Sequence, residues 1–145
     1  MDTTTQAQTS ARQWVAVVDD DDSLRPSIVR LLRTSGVDAC GFRSAEEFLE
    51  RTKGQPPTCA VVDLYLGAGL HGYELKELLD REGRPLPIVF ISAHAELPIR
   101  MQEDARALSN FLRKPFSSDD LLARLAPMID VLRDLPPRAP GDGGA

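Results

Sequence analysis

Four consecutive aspartates, Asp19–Asp22, directly follow the short apolar run Val15–Val18. Adjacent carboxylates repel one another and raise each other's pKa unless a cation or hydrogen-bond donors hold them. A short apolar run rich in valine is typical of a strand that is buried on both faces, as in a parallel sheet. The pattern therefore predicts a strand that delivers carboxylates to its carboxyl end, where they can bind a cation. The alternative is a solvated acidic loop that caps the following helix.

Three further side chains with useful chemistry, Asp63, Ser92 and Lys114, stand at the ends of later apolar runs. The carboxyl ends of parallel strands meet at one edge of a sheet, so such side chains come together there. We therefore expect these three groups and the aspartate run to form one functional edge. Outside this context, Lys114 would be interpreted as a surface lysine.

The elements that position these groups alternate regularly along the chain. Strands are predicted at Val15–Val18, Val37–Phe42, Thr58–Val62, Pro87–Ile91 and Phe111–Leu112, each followed by a helix pattern. The fourth helix, Ala95–Ala107, carries few large apolar residues, and Pro127 is expected to kink or shorten the fifth. The alternation predicts a doubly wound α/β fold, in which five helices cover both faces of a five-stranded parallel sheet.

The composition, 42% hydrophobic and 27% charged, is that of an ordinary globular domain. A formal net charge of −5 disfavours direct nucleic-acid binding, which normally needs a basic surface. No apolar run reaches membrane-spanning length, and Met1–Gln13 lacks the apolar centre of a signal peptide. Cys40 and Cys59 lie in apolar runs and form no CxxC pair, so both are predicted to be reduced core residues of a cytoplasmic protein.

Composition also divides the chain into one domain and two tails. Residues 14–132 carry the strand and helix patterns and are long enough to bury a core. Residues 1–13, rich in Thr, Gln, Ser and Ala, are predicted to be a disordered tail. Residues 133–145 are predicted to be a Pro/Gly-rich tail.

Four stretches at this spacing resemble the receiver domain of two-component response regulators. They are VAVVDDDDSLR (15–25), CAVVDLYL (59–66), VFISAHAELP (89–98) and NFLRKPF (110–116). Each stretch is weak alone, whereas four in the right order form a specific pattern. The resemblance implies a flavodoxin-like fold of the chemotaxis-regulator type, with strand order 2-1-3-4-5. It also implies a phosphoprotein in which the aspartate that ends the third strand, Asp63, accepts the phosphoryl group.

The resemblance further implies a Mg²⁺ site. Asp20 and Asp63 bind the ion directly, the backbone carbonyl of Tyr65 supplies a third ligand, and Asp19 acts mainly through water. The physical reason is that an incoming phosphoryl group adds negative charge beside these carboxylates, and Mg²⁺ prefers oxygen ligands. The other two aspartates of the run match no ligand position and are interpreted as favourable charge near a helix N-terminus.

The remaining site residues are likewise implied by the resemblance. Lys114 pairs with the carboxylate and then with a phosphoryl oxygen, and its bond to the following proline is cis in the family. Ser92 and Phe111 form a switch, in which a hydroxyl bonds the phosphoryl group and the aromatic ring then turns inward. Tyr65 and His94 tune the access of hydrolytic water, although His94 is equally well interpreted as a solvated loop residue.

The loop after Asp63 departs from the family pattern. Gly67 stands where the family usually has proline, and the segment from Asp63 to Gly72 is one residue longer than the common pattern. We expect the metal site to be retained beneath a longer and looser loop. His71, which lies in this loop, is predicted to be a surface residue without a role.

The resemblance implies two kinds of protein partner. A sensor histidine kinase or a histidine phosphotransfer protein donates the phosphoryl group, docking on the first helix, and a downstream protein reads the switch. The chain is therefore not expected to be an enzyme that acts on an external substrate. Because only thirteen residues follow Leu132, we expect a single-domain regulator. The alternative is a receiver domain cut from a longer protein.

One rival hypothesis comes from another class, the haloacid-dehalogenase-like phosphatases. Asp19 and Asp21, followed by Ser23, fit the DxDx[TS] nucleophile motif of that family after an apolar strand. That family also needs a second acidic pair at the end of a later strand. The only later pair, Asp119-Asp120, stands at a predicted helix cap, and the hypothesis leaves Asp63 without a role.

Overall fold

The structure is a computed structural model that describes residues 12–94, 97–102 and 110–133, and it shows an α/β domain. The strands are β1 (Trp14–Val18), β2 (Asp38–Phe42), β3 (Cys59–Asp63), β4 (Ile88–Ser92) and β5 (Phe111–Arg113). The α-helices are α1 (Leu24–Thr34), α2 (Ala45–Arg51), α3 (Gly72–Arg81), α4 (Ser118–Leu125) and α5 (Asp130–Arg133). Two 3₁₀ turns lie at Ile99–Met101 and Ala126–Met128.

The five strands form one parallel sheet in the order β2-β1-β3-β4-β5, which confirms the predicted fold. Successive residues of a strand point to opposite faces, so each central strand contributes to two cores. Val15 and Val17 pack with α1, α4 and α5, while Ala16 and Val18 pack with α2 and α3. All five residues of β3 are buried, as are all five of β4. Burial on both faces explains why these strands are apolar almost throughout.

The last predicted helix is shortened at Pro127, as expected, and the predicted fourth helix lies largely outside the described residues. The one helix predicted after Ser117 is divided into α4, a 3₁₀ turn that contains Pro127, and α5. The cause is proline itself, which has no N–H to donate and whose ring collides with the preceding turn. Of the predicted helix Ala95–Ala107, residues 95–96 and 103–107 lie outside the described residues, and Ile99–Met101 form a 3₁₀ turn.

The structure describes only the inner residues of the two predicted tails. Residues 1–11 and 134–145 lie outside the described residues, while the Gln13 side chain accepts a hydrogen bond from the backbone N–H of Asp130.

Both cysteines are free thiols; Cys59 is buried, Cys40 is half-buried, and burial raises the pKa of Cys59 to about 12. Within the described ranges, no helix is both long enough and apolar enough to cross a bilayer.

Candidate functional site

Three carboxylates meet where β1 and β3 end side by side. Val18 pairs with Val62 in the parallel register, which places Asp19 and Asp63 at adjacent strand ends. One oxygen from each of Asp19, Asp20 and Asp63 lies within 4.8 Å of the other two. Asp19 is fully buried and Asp63 is 7% exposed, whereas Asp20 faces solvent. The structure thus brings together the carboxylates that the sequence pattern places at strand ends.

Lys114 reaches this cluster from the far edge of the sheet. Its Nζ donates to Asp63 Oδ2 at 2.9 Å and to Asp19 Oδ2 at 3.2 Å. The residue follows β5, where its backbone N–H donates to the Ser92 carbonyl at 2.8 Å, and the Lys114–Pro115 peptide bond is cis. One ammonium group therefore bonds two of the three carboxylates, which leaves an excess of negative charge for a cation to offset.

The pKa directions follow from burial and from this pairing. Burial raises the pKa of Asp19, while the N–H of Asp21 and the charge of Lys114 act in the opposite direction. For Lys114, burial lowers the pKa, but the hydrogen bond to Asp63 and the charge of Asp19 outweigh it, so the net direction is upward. Lys114 therefore stays an ammonium group at neutral pH. An all-oxygen cluster of this kind fits Mg²⁺.

The carboxylates of Asp21 and Asp22 bond groups at the N-terminal end of α1. Asp21 Oδ1 accepts hydrogen bonds from the backbone N–H groups of Ser23 and Leu24 at 2.8 and 3.0 Å, which lower its pKa. Asp22 pairs with Arg25 at 2.7 Å. Both observations agree with the interpretation of these two residues as charge at a helix N-terminus.

Arg25 ties the acidic run to the first helix, a role that the sequence pattern did not suggest. Its Nη1 donates to the backbone carbonyl of Asp19 at 2.8 Å, while Nη2 holds Asp22. The side chain is 12% exposed, and its stem passes over Gly41, where an added Cβ would lie 3.1 Å from it. The guanidinium thus holds both ends of the acidic run, and the i,i+3 spacing of Asp22 and Arg25 was the signal available.

The loop between β3 and α3 is tied down at several points. The Tyr65 N–H donates to Asp63 Oδ1 at 3.1 Å, and the Gly72 N–H donates to the Leu64 carbonyl at 2.9 Å. The Leu70 N–H donates to Glu46 Oε2 on α2 at 2.8 Å. Acceptors from β3, from the loop itself and from α2 therefore hold this backbone, while the expectation of a loop looser than the family's stays a prediction.

Glycines let this loop approach the site. A Cβ at Gly72 would collide with the backbone carbonyl oxygen of Asp63, and a Cβ at Gly67 would lie 2.9 Å from Asp20 Oδ2. Gly69 has φ +81°, and a Cβ there would meet the Glu46 carboxylate at 2.5 Å. A side chain at Gly72 would therefore push against the backbone of Asp63, and at Gly69 the positive φ would also disfavour other residues.

His71 is not a surface residue without a role. It is half-buried, and its Nδ1 accepts a hydrogen bond from the Leu66 N–H at 3.1 Å. Its own N–H donates to Glu74 Oε1 at 2.9 Å, at the residue that precedes α3. The prediction of a surface residue without a role was wrong. No motif or periodicity in the sequence indicates that a loop histidine accepts a backbone hydrogen bond.

The predicted switch and tuning residues lie on the neighbouring strand ends. Ser92 is fully buried, and its Oγ accepts the His94 N–H at 3.0 Å. Phe111 is half-buried and packs against the core beneath α2 and α3, opposite Phe90 in the register. The rings of Tyr65 and His94 contact each other edge-on with centroids 4.8 Å apart. The structure therefore pairs Tyr65 with His94 and places Phe111 partly buried against the core.

We expect the Glu46→Ala substitution to release the loop. Loss of the carboxylate leaves the Leu70 N–H without its partner, which costs about 1 kcal/mol and speeds amide exchange there about fivefold. Glu46→Gln retains an acceptor oxygen, and Glu50→Ala removes an exposed carboxylate from the same helix, so both should exchange like the parent chain. Hydrogen exchange followed by mass spectrometry measures this. Unchanged exchange at Leu70 in Glu46→Ala would show that the loop does not depend on this contact.

Comparison with known proteins now identifies the domain. Residues 15–126 match the response regulator receiver domain. The chain belongs to this family. Nodulation protein W of Bradyrhizobium diazoefficiens is 36% identical over 115 residues, which are 79% of this chain and 50% of that protein. Transcriptional regulatory protein FixJ of the same organism is 32% identical over 111 residues, 77% of this chain and 54% of that protein. The receiver domain thus spans about half the length of these curated relatives.

Solved structures agree with this assignment. A response regulator receiver protein from Burkholderia phymatum is similar with a TM-score of 0.68 and 32% identity, covering 88% of this chain and 100% of that chain. Response regulator StyR is similar with a TM-score of 0.70 and 35% identity, covering 85% of this chain and 62% of that chain. The chemotaxis protein CheY4 of Vibrio cholerae, at 20% identity and a TM-score of 0.71, shares the fold over 82% of this chain and 100% of its own. The receiver domain therefore has the flavodoxin-like fold that the sequence implied.

The positions of Asp21, Asp119 and Asp120 disfavour the phosphatase hypothesis. The second aspartate of its motif, Asp21, uses its carboxylate to cap α1 and is absent from the carboxylate cluster found among the described residues. Asp119 and Asp120 lie in the first turn of α4. Relatives such as FixJ are named as transcriptional regulatory proteins, and the receiver domain is grouped with response regulators.

Proposed function

We propose that this receiver domain takes a phosphoryl group from a phosphohistidine onto Asp63 and signals through a conformational switch. The observation that carries the proposal is the carboxylate of Asp63 itself. It lies at the mouth of the sheet, bonded to the Lys114 ammonium at 2.9 Å and within reach of the Asp19 and Asp20 carboxylates. A nucleophile, a fixed positive charge and a cation site are the groups that phosphoryl transfer requires.

The transfer forms one oxygen–phosphorus bond and breaks one phosphorus–nitrogen bond. A carboxylate oxygen of Asp63 attacks the phosphorus in line and forms an acyl phosphate. The phosphorus–nitrogen bond of the donor phosphohistidine breaks, and its electron pair and a proton remain on the donor imidazole. Lys114 holds the carboxylate in place before attack and then bonds a phosphoryl oxygen.

We assign the Mg²⁺ site to the acidic cluster. Asp20 and Asp63 would bind the ion directly, together with the backbone carbonyl of Tyr65, and buried Asp19 would act through water. When bound, Mg²⁺ supplies positive charge that offsets the charge of the phosphoryl oxygens. The support is the three carboxylate oxygens within 4.8 Å of one another, opposed by a single ammonium group of the described residues.

The switch would begin at Ser92. Its side chain is buried at the end of β4, beside the end of β3, and its oxygen accepts the His94 N–H. After phosphorylation its O–H would donate to a charged phosphoryl oxygen. Phe111, on the neighbouring strand, would then turn inward and change the surface that a partner reads. Tyr65 and His94 would limit the approach of hydrolytic water, because their paired rings stand two residues after the phosphoacceptor and the switch serine.

The partners follow from this chemistry. The phosphoryl donor would be a sensor histidine kinase or a histidine phosphotransfer protein, docking on α1, and the output would be contact with a downstream protein. The net charge of −5 supports a chain that acts on protein and not directly on nucleic acid. We also propose that it acts in the cytoplasm and not at a membrane.

Intact-mass spectrometry tests the proposal. Incubation of the chain with acetyl phosphate and Mg²⁺ should add one phosphoryl group, and EDTA should prevent the addition. Hydroxylamine should remove the label, since an acyl phosphate reacts with it, and peptide mapping should place it on Asp63. A chain that stays unlabelled with Mg²⁺, or that carries a hydroxylamine-stable label, would overturn the proposal.

We expect Lys114→Arg to separate metal binding from signalling. Arginine keeps the positive charge, so the Mg²⁺ dissociation constant should stay within about threefold of the parent value. Its planar fork cannot reproduce the compact ammonium that bonds two carboxylate oxygens, so the change in amide exchange that phosphorylation causes around Ser92 should be lost. Lys53→Arg, at an exposed position on the surface, is the matched control. A Lys114→Arg chain with the full exchange response would contradict the assigned role.

A further inference from the structure

The backbone carbonyl of Tyr65 lies between two hydrogen bonds that hold its chain segment. On one side, the Tyr65 N–H donates to Asp63 Oδ1 at 3.1 Å. On the other, the Leu66 N–H donates to His71 Nδ1 at 3.1 Å. The Leu66 N–H and the Tyr65 carbonyl belong to the same peptide unit, which is planar. Whatever holds this N–H therefore also sets the direction of the Tyr65 carbonyl.

The Tyr65–Leu66 peptide is trans, since the cis bond among the described residues is at Lys114–Pro115. In a trans peptide the N–H and the carbonyl point in opposite directions. With the N–H aimed at the imidazole of His71, the Tyr65 carbonyl points away from that ring. A rotation of this peptide plane would break the bond to Nδ1, so the imidazole opposes such a rotation.

His71 is itself well placed to act as a fixed acceptor. Its N–H donates to Glu74 Oε1 at 2.9 Å, which anchors its backbone to the first turn of α3. Its ring stacks on Tyr73, with centroids 5.6 Å apart and an interplanar angle of 22°, and meets the Tyr65 ring edge-on at 5.7 Å. The following residue, Gly72, packs so closely on the Asp63 carbonyl that the whole turn is held against β3. The imidazole therefore has little freedom to leave the Leu66 N–H.

We propose that His71 is a positioning residue for the metal site, which aims the Tyr65 carbonyl by accepting the Leu66 N–H. This inference rests on the proposed function, in which that carbonyl is a Mg²⁺ ligand. His71 touches neither the ion nor the reacting atoms, and it acts through the Tyr65–Leu66 peptide. The residue also gives the lengthened loop a purpose, because the loop brings an acceptor back to the peptide that follows the phosphoacceptor strand.

Two substitutions at this position separate the acceptor from the ring. His71→Phe keeps an aromatic ring but removes the acceptor, so the Mg²⁺ dissociation constant should rise about tenfold, the size expected when a group that orients a ligand is lost. His71→Asn removes the ring, but its side-chain oxygen can take the place of Nδ1, so its dissociation constant should stay within about twofold of the parent value. Titration calorimetry with Mg²⁺ and the full chain measures both. Exchange of the Leu66 amide, followed without metal, should quicken in His71→Phe alone.

Each result of these titrations and exchange measurements either supports or overturns the inference about His71. Equal losses of Mg²⁺ affinity in His71→Phe and His71→Asn would overturn the inference, since a retained acceptor would then make no difference to the metal site. Faster Leu66 exchange in His71→Phe with unchanged affinity would also overturn it, because the peptide would be freed without effect on the metal. A parent chain that binds no Mg²⁺ while its Leu66 amide stays protected would instead overturn the proposed function, and this inference with it. Loss in His71→Phe with rescue in His71→Asn supports the proposal.

Discussion

The Asp63→Asn substitution is expected to abolish uptake of a phosphoryl group from acetyl phosphate. An amide oxygen is a poor nucleophile at phosphorus, whereas the carboxylate of Asp63 is held ready by Lys114 at 2.9 Å and by the Tyr65 N–H at 3.1 Å. Asparagine has the same shape, and its single amide oxygen can accept one of these two hydrogen bonds, so the fold should be retained. Intact mass in the presence of Mg²⁺ should therefore show full labelling of the parent chain and none of the variant.

The matched control for this experiment is Asp80→Asn. Asp80 is an exposed residue of α3 that pairs with Lys76 at 2.7 Å, so the same chemical change there should leave labelling intact. Asp19→Asn distinguishes the rival mechanism. Labelling that persists in Asp63→Asn but disappears in Asp19→Asn would contradict the assignment of the phosphoacceptor and would favour the phosphatase motif.

The second large effect is expected for Asp20→Ala, which should raise the Mg²⁺ dissociation constant on the order of a hundredfold, or ~2.7 kcal/mol. Asp20 supplies one of the three carboxylate oxygens that lie within 4.8 Å of one another, and it faces solvent, from which the ion arrives. Removing it takes away both a direct ligand and a unit of negative charge. Titration calorimetry measures the change.

Asp22→Ala is the matched control, because it removes the same charge from the same acidic run. Asp22 is held by Arg25 at 2.7 Å and by Arg43 at 3.6 Å, and its carboxylate is absent from the cluster. Its substitution should change the dissociation constant by no more than about twofold, as expected for an exposed, screened charge. Similar losses in the two variants would show that the run binds Mg²⁺ by its total charge, and would contradict the assignment of Asp20 as a ligand.

The metal assignment and the histidine inference can be told apart by these variants. Asp20→Ala removes a ligand, so no acceptor elsewhere in the loop should rescue it. His71→Phe leaves every proposed ligand in place and disturbs only the peptide between Tyr65 and Leu66. The first variant should therefore lose much more affinity than the second, and only the second should have a conservative replacement that restores binding.

The strands and the candidate carboxylates could be predicted from the sequence because both depend on local physics. Val15–Val18 is apolar on both faces, as a central strand of a parallel sheet must be, and the chain turns polar where that strand leaves the sheet. The same change at Asp63 places a second carboxylate at the neighbouring strand end. The resemblance then supplied the strand order, which periodicity alone does not contain.

The contacts that support the site were decided by tertiary structure. Glu46 reaches Leu70 across 24 positions of the chain, and Lys114 reaches Asp19 across 95. Of these two, only the lysine stands in a recognisable motif. His71 and Arg25 are near their partners in sequence, but whether they bond them depends on how the loop and the first helix pack on the sheet. Such side chains follow no hydrophobic periodicity in the sequence. Their roles arise only when the packing of separate elements fixes the direction of a backbone N–H or carbonyl. The sequence by itself thus determined which strands deliver carboxylates to one edge, and the folded packing decided what holds them there.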